Sequence, residues 1–170
     1  MAKNSVSAEE KVVKNKEPEE FKLDKLVTIK NLSDSTLSFR RQQDGQGDVK
    51  IAPGGQYLIS RNELKAQVDS NNNLISGIDG MGAHASIFID DEPTRRRWLG
   101  FEFDGKPQEI FSYDLVRKLF DMSQKEFEQE LPKKIRTRAE KSALMKAIDE
   151  LELNDYRKII FSSKYAENHF

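Results

Sequence analysis

The chain has 170 residues, 36% hydrophobic and 34% charged, enough for one ordinary domain or for a small β-rich unit followed by a helical one, with a modest core under a highly charged surface. Its 28 basic and 29 acidic side chains nearly cancel, so the basic excess that simple phosphate attraction requires is missing. There is no cysteine, which excludes a disulfide framework and thiolate metal sites, and no apolar run is long enough for a signal peptide or for the roughly 18–20 residues of a membrane span.

Residues 1–21 mix Lys and Glu with few apolar positions, and Pro18 interrupts any helix begun at Ser7. The expectation is an arm that orders against a neighbouring subunit through Val12, Val13 and Phe21. From Leu26 the run Leu26-Val27-Thr28-Ile29 is β-branched and apolar. Turn chemistry at Asn31–Ser35 then leads to Leu37-Ser38-Phe39, which predicts a hairpin. Arg40 to Asp48 reads as an exposed loop before the short strand Val49-Lys50-Ile51. Pro53 and Gly54 suit the two central positions of a β-turn. The strand Gln56–Ile59 then meets Ser60-Arg61-Asn62-Glu63, a capping-box pattern that opens a helix from Arg61 to about Val68 with Leu64 and Val68 buried.

Asp69–Asn73 ends that helix, and Leu74, Ile75 and Ile78 are placed to dock back on the core. Gly77, Gly80 and Gly82 connect to a strand at Ala85–Ile89, which Asp90-Asp91 stops. Asp91-Glu92-Pro93-Thr94 has the form of a helix start, so Arg95–Leu99 reads as one or two helical turns or an exposed loop. Phe101-Glu102-Phe103 alternates as a strand does, and Asp104–Pro107 is a turn. Four helices follow, capped at Ser112, at Ser123 with Glu126, at Thr137 with Glu140, and at Asn154. The predicted organisation is α+β: a charged arm at 1–21, a small antiparallel β-rich module at 22–106, and a bundle of short α-helices at 107–170.

The residue types that carry chemistry are sparse. His84 lies in the glycine-rich connection and His169 beside the C-terminus, neither with a ligand partner at helical spacing, so both read as surface histidines and no catalytic residue, metal or cofactor is assigned. Asp69–Asn73 resembles a calcium loop only until Leu74 and Gly80 occupy the positions that need glycine and a bidentate acid. Gly77–Gly82 lacks the lysine and strand-to-helix setting of a phosphate loop. Asp90, Asp91 and Glu92 read as caps or solvated charges rather than an acid/base pair. Arg95, Arg96 and Arg97 beside Trp98 combine forked donors with an aromatic face, which suits a protein interface and, less well, nucleic acid. Lys133, Lys134, Arg136, Arg138 and Lys141 form the densest basic run and a possible nucleic-acid contact, although Glu126, Glu128, Glu130 and Glu140 weaken its field.

The order of these elements carries a resemblance. Val27–Ser33, the Arg40-Arg41 pair, the Gly54-Gly55 turn, the Ser60–Leu64 helix start and Leu74-Ile75 resemble small virion structural proteins of tailed bacteriophages. Ile87–Glu92 and the helices opening at Ser112 and Ser123, with Ala147-Ile148, extend the likeness to about residue 160. The resemblance implies a non-enzymatic building block of the phage head or connector that binds the major capsid protein or another virion subunit. It places the chain in the host cytoplasm before assembly and in the virion after it. It implies no cofactor, small-molecule substrate or membrane, and transfers no catalytic residue. The charged arm at 1–21 departs from the family pattern. The competing expectation is an accessory protein that touches packaged DNA through Arg95–Arg97 and Lys133–Lys141.

Overall fold

The computed structural model describes residues 22–168. The fold is α+β, with five short strands preceding the main helices. Alternation drives β1 (Leu26–Asn31): Val27, Ile29 and Asn31 point inward while Leu26 faces solvent. β1 is the centre of an antiparallel three-stranded sheet, flanked by β4 (Gln56–Ser60) and β5 (Ile87–Ile89). β2 (Leu37–Arg40) and β3 (Asp48–Ile51) form a separate two-stranded ribbon. The expected hairpin between the first two strands is therefore wrong. β2 instead pairs with β3 across the polar loop, and β1 finds its partners 26 or more residues further on.

Asn31 explains why β1 turns away. Its buried amide donates to the carbonyls of Ser35, Ile51 and Ala52, and its Oδ1 accepts from Ser33 N and Oγ, which ties the end of β1 to the β3–β4 turn with every polar group satisfied. That turn is the one Pro53 and Gly54 predict, with Gly54 at φ +67 and Gly55 N donating to Ala52 O at 2.8 Å.

Helix α1 (Arg61–Asp69) starts where the capping pattern places it, with Ser60 Oγ accepting from Glu63 N at 3.0 Å. Only half of the capping box forms. Glu63 does not reach back to Ser60; its buried carboxylate accepts the backbone N–H groups of Gln42, Gln43 and Asp44 and the amide of Gln67. Ser60 N turns to Asp44 Oδ2 instead. The loop after β2 is exposed as expected, and its backbone is gathered around one carboxylate. Burial raises the Glu63 carboxyl, and these hydrogen bonds outweigh it to leave the group below its ordinary value.

A short turn, α2 (Asn73–Ser76), leads to the glycine connection. The helices α3 (Tyr113–Phe120), α4 (Gln124–Lys134), α5 (Arg138–Glu150) and α6 (Tyr156–Glu167) follow, and Ser112, Ser123 and Thr137 cap as expected. The last helix is capped by Asp155, one residue beyond Asn154. Buried apolar side chains fall into two groups. One joins the strands and α1 from Val27 to Phe101; the other joins α3–α6 around Phe111, Phe127, Leu131 and Leu144. Lys158 fastens the second group, its ammonium donating to the carbonyls of Phe120 at 2.6 Å and Met122 at 2.7 Å where α3 ends.

His84 bridges the two groups, contrary to the surface position expected for it. It is buried at φ +57; Nδ1–H donates to Glu140 Oε1 at 2.8 Å, and its backbone N–H donates to Glu109 O at 2.6 Å. The other oxygen of Glu140 accepts from Arg136 N and Thr137 N, so one carboxylate both opens α5 and holds the β-rich part against it. His169 lies outside the described residues.

Candidate protein-interaction surface

The segment after β5 begins with a buried ion network. Arg61, on the first turn of α1, is 1% exposed; its Nη2 donates to Asp91 Oδ2 at 3.1 Å and its Nε to Thr94 Oγ1 at 2.8 Å. Lys25 Nζ lies 3.2 Å from Asp91 Oδ1. Burial raises the Asp91 carboxyl, but hydrogen bonds from Thr94, Arg61 and Lys25 overcome it and hold the group at about 2. Asp91 also accepts from Thr94 N, starting a single π-helical turn at Thr94–Trp98 where the sequence suggested a helix start.

That turn divides the arginine triplet. Arg95 points inward: Nε donates to Glu102 Oε1 at 3.0 Å, Nη1 donates to Ile89 O, and the guanidinium stacks 4.6 Å from the centre of the Phe88 ring. It is a brace for the turn and is not displayed to a partner. Arg96 and Arg97 are exposed, and Arg96 pairs with Glu92 one helical turn away at 2.9 Å. Trp98 is half-buried, with its indole Nε1 enclosed and without a hydrogen-bond partner.

Phe101-Glu102-Phe103 is not a strand. Phe101 N donates to Arg95 O at 2.7 Å and Glu102 is drawn in by Arg95, so the segment closes into turns that bury Phe101 and leave Phe103 76% exposed. The glycine connection lies against the same turns. A Cβ on Gly100 would meet Met81 Cε at 4.0 Å, one on Gly82 would meet Phe101 Cδ2 at 2.7 Å, and the Gln108 amide donates to Gly82 O. These two joined loops display Ile78, Met81 and Phe103 at 50%, 39% and 76% exposure, and the π-helical turn that leads into them exposes Arg96 and Arg97. Exposed aromatic and aliphatic groups together with arginine have the composition of a protein interface centre. The arginine–tryptophan pattern pointed to this region. Phe103 was missed because its alternation with Phe101 imitates a strand, and Ile78 because it read as a core residue.

The basic run in the helical part is dispersed. Lys133 pairs with Glu130 at 2.6 Å and Lys134 with Glu109 at 3.2 Å. Arg136 and Arg138 are exposed. Lys141 turns inward to place its ammonium 4.3 Å from the centre of the Tyr165 ring, where burial lowers its pKa. Val12 and Val13 lie outside the described residues. Among the described residues no group of three or more His, Asp or Glu side chains is placed to share a metal ion, and no helix is long and apolar enough to cross a membrane. No protein-family model, curated protein or solved structure matches this chain.

Proposed function

We propose that the chain is a non-enzymatic structural subunit of a tailed-phage virion that binds capsid or connector subunits during head assembly. The observation that carries the reading is the paired-loop surface of Ile78, Met81 and Phe103, following the turn that exposes Arg96 and Arg97 and braced by Arg95 and the Arg61–Asp91 network. A preformed apolar surface on braced loops binds a protein partner with little ordering cost. The sequence resemblance to small virion proteins supplies the setting, with the major capsid protein or another virion subunit as the partner.

Quantitative mass spectrometry of gradient-purified particles tests the proposal. A fixed ratio of this chain to the major capsid protein is expected, with Phe103→Ser lowering it while the isolated protein stays folded. Absence of the chain from particles would overturn the reading. Contact with packaged DNA through Lys133, Lys134, Arg136 and Arg138 is the weaker reading, since local acids pair with two of the four and Lys141 faces inward. It requires binding that falls steeply with added salt.

A further inference from the structure

The end of α5 and the start of α6 line an open groove of about 460 Å³ that the interaction surface above does not use. Met145, Ile148, Leu153 and Ile159 give it apolar walls, and Asp149 and Glu152 give it an acidic rim with no ion-pair partner among the described residues. The acidity is locally unfavourable. α5 has no basic residue in its last turn to offset its dipole, and carries Asp149 and Glu150 there instead. Glu152 sits at φ +52, the left-handed position of a Schellman turn in which Glu152 N donates to Asp149 O and Leu153 N to Ile148 O. Glycine is the cheap residue at that position.

We infer that this groove receives the segment Lys11-Val12-Val13-Lys14-Asn15-Lys16 of a neighbouring copy of the chain. In that stretch two adjacent aliphatic side chains are bordered by three lysines, complementary to apolar walls under two carboxylates. Residues 1–21 offer no other pair of adjacent aliphatic side chains with basic neighbours. The assignment rests on the proposed role as a repeated virion subunit, in which one copy's arm reaches the next.

Full-length protein, half of it labelled with ¹⁵N, is mixed at high concentration and treated with a carbodiimide that joins lysine amines to carboxylates without a spacer. Mixed-isotope peptides linking Lys11 or Lys14 to Asp149 or Glu152 are expected; links confined to one isotope, or none, overturn the inference. Sedimentation equilibrium supplies the second test. Lys11→Glu with Lys14→Glu, and separately Asp149→Lys with Glu152→Lys, each weaken self-association at least tenfold, and combining all four restores it. All these changes lie at exposed groove positions or within residues 1–21, and circular dichroism verifies folding. If the combination fails to restore association while the chain still co-purifies with particles, the groove assignment falls and the virion reading stands. If restoration succeeds but particles lack the chain, the virion reading falls alone.

Discussion

Asp91→Asn isolates the energetic centre of the braced turn. The wild-type carboxyl is held at about 2 against an ordinary 3.8, and at about 1.4 kcal/mol per pH unit this displacement corresponds to about 2 kcal/mol of folded-state stabilisation. Because the folded value is depressed, the contribution is complete above about pH 4 and drains away as pH falls toward 2. The asparagine keeps the shape but removes the carboxylate that pairs with the Arg61 guanidinium, 1% exposed. Removing one partner of a fully buried ion pair costs about 3–5 kcal/mol; Asp91 retains 16% exposure, so a loss of about 2–3 kcal/mol is expected at pH 7. Urea unfolding of both proteins at intervals from pH 7 to pH 2.5 measures it, since carboxylates common to both cancel in the difference. The gap must narrow below about pH 4. A difference under about 0.5 kcal/mol at pH 7, or one that stays constant as pH falls, would refute the argument that the Arg61–Asp91 pair stabilises this fold.

Glu63→Gln exchanges a carboxylate that accepts three consecutive backbone N–H groups for an amide that accepts more weakly and brings an unwanted donor; a loss of about 2 kcal/mol is expected, with faster hydrogen exchange at Gln42, Gln43 and Asp44 as the local readout. Gly77→Ala should prevent folding, because the added Cβ would stand 2.1 Å from Ala83 O, whereas Gly80→Ala meets nothing within 4 Å and should lower stability by only about 1 kcal/mol through its φ of +75; comparable melting temperatures for the two would contradict the packing described. Arg95→Ala should destabilise the protein by about 2 kcal/mol by removing the ligand of Ile89 O and Glu102, while Phe103→Ser should leave stability within about 0.5 kcal/mol and act on particle incorporation alone.

What the sequence makes legible here is what residues decide within one turn of themselves. Ser60, Ser112, Ser123 and Thr137 announce their helices because a cap and the N–H it accepts lie three residues apart. Pro53-Gly54 announces its turn for the same reason. Pairing is another matter: alternation in Leu26–Asn31 specifies which side chains face inward but not which strand lies alongside, and the Asn31 amide decided that by binding carbonyls 20 and 21 residues away. Glu63 shows how a correct local signal can carry a wrong partner. The Ser-x-x-Glu spacing located the helix start, yet the carboxylate gains more from three orphan amides of a distant loop than from one at its own N-cap.

The same separation explains the candidate site. Composition marked Arg95–Trp98, but three adjacent arginines on a tight turn cannot share one direction, and which of them turns inward depends on a carbonyl at Ile89 and a carboxylate at Glu102. Once Arg95 takes both, Glu102 is pulled into the protein and Phe103, its neighbour, is directed outward. An interior charge pair therefore sets which aromatic ring is displayed. Against a well-packed apolar replacement a buried pair of this kind adds little net stability, because desolvation consumes most of its attraction, although removing one partner alone is costly. Its consequence is geometric: it holds one arrangement of the loop in place, and a surface that must meet a partner without reordering needs that fixity more than it needs added stability.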